Sequence, residues 1–354
     1  MNDVAWRPLK GGNVDTHPDD YGAGYEEGYL AGLEHYTQPA NEHRMMVKLL
    51  KQDLAQAART LGTHQARDLV RLYYRIQKMR LAAMGQVRAG LDPEKARKDH
   101  VAAPLEQKPH FLVQWVAEEF QTVEGLIAQS LGAWAETDDV GRWCLAQHGI
   151  GPVFAAGFAS TFDPRRSNTA GGYWRFAGYD PTLVWGKGQK RPWNADAKVL
   201  VYRWASVQER MSSKDGNYYG KLLQEKKEQL RQQNEEGRFR AAAAEHLEKT
   251  KGKWVREDPE SRSEVFEPGV VPPGEGKDED HVAKAAKDWW SKGLLTPAHL
   301  RARAYRWTGK LFLAHLFEVG YWYAHGRRAP RPYVIEHLGH AHPIEAPHAP
   351  WRTE

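Results

Sequence analysis

The stretch His148-Gly149-Ile150-Gly151-Pro152 decides how the chain is read. Upstream of it, residues 140–147 (VGRWCLAQ) carry an apolar face suited to a short helix. Downstream, Pro152 fits a first helical position, where its missing N–H would be unpaired anyway, and it opens a helix over 153–161. Gly149 and Gly151 let the backbone turn sharply between the two. The pattern predicts a helix-hairpin-helix. The second helix then points unpaired N–H groups and a positive dipole end outward, a setting that suits an anion. The plain structural alternative is a tight connection in which Ile150 fills the core.

The residues that follow favour phosphate as that anion. Arg165, Arg166, Arg175, Lys187, Lys190, Arg191, Lys198 and Arg203 come within a few dozen positions, with few acids among them. Phosphate contacts are additive and blind to base sequence, so clustered cations serve them. The candidate nucleic-acid contacts are therefore His148, Gly149, Ile150 and Gly151 of the hairpin, joined by Arg165, Arg166, Arg175, Lys187, Lys190, Arg191 and Lys198. Within the Gly/Lys-rich run WGKGQKRPWN, Trp185 and Trp193 alternate with cations, as in single-strand or backbone contacts. Two buried tryptophans pinning a loop would read the same way.

Working outward, the chain reads as all-α, with helical stalk or coiled-coil arms, the helix-hairpin-helix domain, and an irregular Pro/Gly-rich linker and tail. Residues 1–40 hold a Gly/Tyr-rich helix in which Gly24, Gly28 and Gly32 recur every fourth position. Residues 41–136 read as a helical stalk, its second helix capped by Thr63 and stopped by Gly90. The hairpin domain spans 137–212. Residues 213–257 carry mixed charge and few apolar positions, predicting a charged helical arm, protruding or coiled. Residues 258–280 read as a linker by composition, 281–326 as C-terminal helices, and 327–354 as a His/Pro-rich tail. The tail sets His337, His340 and His342 at metal-ligand spacing beside Glu336, so a divalent metal there is the candidate cofactor, with none firmly implied. The Pro-rich context and the lack of an evident fourth ligand favour a docked or loose tail instead.

Composition bounds the rest. The 354 residues are 41% hydrophobic and 27% charged, with a mean hydropathy of -0.72. No apolar run approaches the roughly 20 residues of a membrane span, and the acidic start lacks an apolar leader core, so a cytoplasmic protein is expected. A single cysteine, Cys144, excludes an internal disulfide. The net charge of +5 and pI near 9.0 agree with a polyanionic partner.

From Asp139 to about Arg203 the chain resembles the C-terminal domain of the insertion-sequence "one-ten" transposase or bridge recombinase family. The carriers are His148-Gly-Ile-Gly-Pro152 with Ala155 and Ala156, then Phe176-Ala-Gly-Tyr-Asp-Pro181, the Gly/Lys loop from Gly186 to Arg191, and the helix containing Lys198. The resemblance implies a DNA transaction of a mobile element or phage. Two departures matter. Family members begin with an RuvC-like domain, for which this chain has no strand runs. They also carry a nucleophilic serine in a Ser-Ser-Gly-Gly stretch, where this chain reads Thr182-Leu-Val-Trp185-Gly. The expectation is a DNA-binding protein (with RNA as the other candidate polyanion) that lacks that catalytic apparatus, has no membrane partner and assembles with itself through helical arms. The alternatives are a divergent recombinase or metal-dependent nuclease with catalytic residues unassigned, and a non-catalytic oligomeric assembly protein.

Overall fold

A computed structural model describes residues 50–91, 111–186, 188–251, 254–256, 281–330 and 344–352. The fold is all-α. Helix ends at residue 58, then α1 (Thr63–Leu91), α2 (Phe111–Ala135), α3 (Asp139–Leu145), α4 (Pro152–Thr161), α5 (Ala170–Phe176), α6 (Ala195–Arg210), α7 (Tyr218–Glu235) and α8 (Arg240–Glu248) follow. Two three-residue strands, β1 (Trp254–Arg256) and β2 (His281–Ala283), pair in parallel before α9 (Lys284–Ser291) and α10 (Pro297–His325). Among the described residues no helix is long and apolar enough to cross a membrane.

The chain divides into two compact units, one of residues 1–57 and 74–127 and the other of 58–73 and 128–354. Within the first, α1 and α2 are registered by polar contacts. Glu124, 8% exposed, accepts from Arg80 Nε at 2.5 Å and from Gln77 Nε2 at 3.0 Å. A carboxylate so far from water needs those donors.

The second unit is built round α10. Thr296 caps it by accepting from the His299 amide, and Pro297 occupies its first turn. Its C-terminal half, with Phe312, Leu313, Leu316, Phe317 and Val319, is buried, and α3, α5, α6 and α7 pack round it. Trp204 of α6 stacks on Phe312 with ring centres 4.2 Å apart, and Phe158 of α4 meets Phe312 at 4.7 Å. Burying rings of this size contributes a few kcal/mol each. The α6/α10 crossing requires Gly309, since a Cβ there would stand 2.6 Å from Tyr179 Cε1 and 2.9 Å from Val201 Cγ1.

The charged stretch expected to protrude is corrected by this packing. In α7, Tyr219, Leu223 and Leu230 are buried, and the helix lies on α10 and α6. Its charges form one outer face with local pairs such as Arg231 with Glu228 and Glu235. Asn234, 3% exposed, exchanges two hydrogen bonds with the Leu295 backbone. The Gly/Tyr-rich helix, the 258–280 linker and His337, His340 and His342 lie outside the described residues.

Residues 344–352 dock on this unit. His315 Nε2 donates to the Ile344 carbonyl at 2.8 Å, which leaves Nδ1 to accept from Tyr219 Oη at 2.9 Å. Trp143 Nε1 donates to the Pro347 carbonyl and Tyr218 Oη to that of Glu345. Ala346 and Ala349 are buried beneath.

Candidate nucleic-acid interface

The hairpin read from the sequence is present. Asp138 caps α3 by accepting from the Gly141 amide at 2.8 Å, and a turn bond runs from the Ile150 amide to the Gln147 carbonyl. Gly149 sits at φ +78, and a Cβ there would come within 2.6 Å of Gln208 Nε2. Gln208, fully buried on α6, holds the turn by donating to the His148 carbonyl at 3.1 Å. Ile150 is 5% exposed and fills the core, as the structural alternative required. Gly151 differs. It is exposed and extended, and a Cβ on it would meet nothing within 4 Å. Packing therefore does not demand glycine at 151. Beyond it, the Val153 and Phe154 amides precede the first intrahelical bond of α4, from the Ala155 amide to the Gly151 carbonyl.

Arg165, Arg166 and Lys198, read together with the hairpin in the sequence, stand apart from its turn. Arg165 and Arg166 lie past the far end of α4, in a 3-10 turn (Pro164–Arg166) capped by Asp163. They line a groove of about 360 Å³ with His64, Arg67, Tyr323 and the carboxylates of Asp138, Asp139 and Asp163. Within it Arg166 pairs with Asp163 and Arg67 donates to the Ser160 carbonyl, while Asp139 pairs with Arg142. Lys198 stands ten residues before Gln208 on α6, about 15 Å along the helix axis.

A second cluster forms instead where α5, the loop after it, α6 and α10 meet. Lys198 Nζ lies 4.3 Å from the centre of the Trp193 ring, and Arg191 Cζ 5.5 Å from that of Trp185. Lys310 Nζ of α10 lies 4.4 Å from the Trp174 ring. Burial pushes the Lys198 ammonium below its usual pKa, and the neighbouring Arg306 and Arg191 push it further. Lys310 is lowered by burial first; Asp180 opposes this and Arg306 adds to it. Arg175, Lys190 and Arg191 are exposed. Lys187 lies outside the described residues. Arg306, Lys310 and Trp174 were absent from the sequence-based set; the signal was the basic run Arg301, Arg303, Arg306 and Lys310, on a helix more than a hundred residues downstream.

The described residues of the loop are tied to one another and to α5. Trp185 Nε1 donates to the Gln189 carbonyl at 2.7 Å, the Trp185 and Trp193 rings meet edge to face at 6.1 Å, and Gly178 lies against Trp193. The Asn194 amide donates to the Phe176 carbonyl, and the Asn194 side chain caps α6. Val184 is 90% exposed beside them.

Hydroxyls near this surface have structural partners. Thr182 Oγ1 and its amide both donate to Asp180 Oδ1, at 2.8 and 2.9 Å. Those bonds, with Arg175 and Lys310 nearby, hold the Asp180 carboxyl below its usual pKa, which makes it a poor base for activating the Thr182 hydroxyl. Ser167 Oγ donates to the Thr169 carbonyl and Ser206 Oγ accepts from Arg210. Cys144 is buried, and burial pushes its thiol up, away from the thiolate. Among the described residues no group of three or more His, Cys, Asp and Glu side chains could hold a metal.

No protein-family model, curated protein or solved structure matches the chain.

Proposed function

We propose that the second unit is a DNA-binding module that holds the phosphate backbone through the basic surface of α5, the 185–193 loop, α6 and α10. The observation that carries this reading is the gathering of cations on one surface: Lys198 Nζ and Lys310 Nζ stand 4.3 and 4.4 Å from the Trp193 and Trp174 rings, and both ammonium groups, made less basic first by burial, are lowered further by Arg306, with Arg191 also acting on Lys198. Packing like charges together costs stability in the free protein, and a polyanion repays that cost. Asp196, the acid nearest Lys198 in sequence, is directed to Arg71 at 3.2 Å. The exposed Gly151 and the first-turn amides of α4 form a second, smaller phosphate contact on the same unit.

DNA is preferred over RNA because the helix-hairpin-helix is a unit that tracks a DNA backbone, and the motif resemblance supports the same ligand. Association with a second copy belongs to the proposal as well; the stalk helices of the first unit carry exposed Leu112, Trp115 and Met79, which suit such a contact. Strand cleavage or exchange does not belong to it.

The test is a fluorescence-anisotropy titration of nucleic-acid-free protein against duplex DNA at 50 and 200 mM salt. Six phosphate contacts predict a loss of affinity on the order of 10³ between those salts. Affinity independent of salt, or no binding at either concentration, contradicts the reading.

A further inference from the structure

Aromatic residues among cations ordinarily signal base stacking, and single-strand binders gain roughly 1–3 kcal/mol per stacked base from it. Three tryptophans stand in this surface, and each is already engaged. The Lys198 ammonium covers Trp193 at 4.3 Å, the Lys310 ammonium covers Trp174 at 4.4 Å, and the Arg191 guanidinium covers Trp185 at 5.5 Å. All lie within the range of cation–π attraction. Two of the polar edges are bonded as well: Trp174 Nε1 donates to the Lys310 carbonyl at 2.8 Å and Trp185 Nε1 to that of Gln189 at 2.7 Å. Trp193 is further packed by Gly178, where an added Cβ would stand 2.7 Å from the indole Cγ.

We infer that these tryptophans are positioning residues that aim Lys198, Lys310 and Arg191 at the phosphate backbone, and that the surface takes no energy from the bases. This rests on the DNA-binding reading and decides within it between backbone contact and base stacking. A ring under a cation restricts where a long, flexible side chain can go, so the ammonium is pre-placed and less rotamer freedom is lost on binding. Ligands are then ranked by charge density. Duplex DNA, with one charge per roughly 1.7 Å of axis, binds ahead of a single strand.

The experiment uses the full chain and three 30-nucleotide ligands: a thymine single strand, the same strand with every base removed, and a duplex. Equal affinity for the first two, within about twofold, with tighter binding of the duplex, is expected. Abasic DNA binding tenfold or more weakly than the thymine strand overturns the inference while leaving DNA binding intact. Failure of all three to bind overturns both. Trp193→Tyr and Trp193→Leu separate aiming from mere packing. Tyr keeps a ring beneath Lys198 and is expected to retain wild-type affinity and salt slope. Leu is expected to lower affinity about threefold to tenfold with an unchanged circular-dichroism spectrum. Equal losses in the two variants, or none in either, contradict the positioning role.

Discussion

Trp174 and Lys310 hold each other twice: the indole Nε1 donates to the Lys310 carbonyl at 2.8 Å, and the Lys310 ammonium returns to lie 4.4 Å from the ring centre. The pair joins α5 to α10 across 136 residues of sequence. One contact thus anchors the fold and sets a cation on its surface.

Stability and binding should separate at this surface. Lys198→Met keeps an unbranched apolar stem over Trp193 but removes a charge crowded by Arg306 and Arg191. The loss of cation–π attraction and the relief of repulsion are of similar size, about 1 kcal/mol or less each. The melting temperature is expected to change by no more than a few degrees while duplex affinity falls several-fold. Differential scanning calorimetry alongside anisotropy checks this; a large fall in melting temperature would mean that the charge serves the fold.

The two hairpin glycines should respond differently. Gly149→Ala is expected to cost about 1–3 kcal/mol in urea unfolding, since it combines a positive φ with a clash against Gln208. Gly151→Ala is expected to change stability by less than about 0.5 kcal/mol, because nothing stands near the added methyl. Gly151→Asp places a carboxylate where a phosphate is proposed and should weaken DNA binding without unfolding the protein. Unaltered binding by Gly151→Asp would remove the hairpin from the interface.

Buried His315 and half-buried Glu318 oppose each other in their response to pH. Burial holds His315 down at about 4, so the folded state excludes a proton that the unfolded chain takes up near 6.5. Its stabilising share is complete above pH 6.5 and is lost as pH falls toward 4, by roughly 3 kcal/mol. Burial raises Glu318 to about 7, with Arg328 opposing and Glu345 adding to the shift. Its share is present below pH 4.5 and declines as pH rises to 7. Between pH 4.5 and 6.5 the two slopes partly cancel. Glu318→Gln is therefore expected to steepen the rise of unfolding free energy across that window. A curve parallel to wild type would show that Glu318 is charged in the folded protein.

The hairpin was legible because its signals are local. A glycine at positive φ, an Asp cap and a proline at the first helical position act within a few residues. The helix α7 was misread because Tyr219, Leu223 and Leu230 are sparse among charges, and what seats it includes Asn217 and Asn234, polar residues buried by specific bonds. The basic surface was half legible. Arg175, Lys190, Arg191 and Lys198 lie close in sequence, but Arg306 and Lys310 join them only through the α6/α10 crossing at Gly309. Arg165 and Arg166 are near the hairpin in sequence, yet α4 carries them to a groove they share with Asp138, Asp139 and Asp163, the last paired with Arg166. Whether a tryptophan covers a cation or offers its face to a base depends on rotamers set by distant contacts, which spacing along the chain does not encode.

The measurement that bears most directly on the central claim is the slope of log affinity against log salt for duplex DNA. It would be taken with wild type and with Lys198→Ala/Arg306→Ala/Lys310→Ala, both shown to be folded. Each lost phosphate contact reduces the slope by about 0.9. A slope shallower by about 2 to 3 is expected in the variant, with affinity reduced at low salt. The same slope and affinity in both proteins would place any DNA elsewhere on the chain and contradict the account.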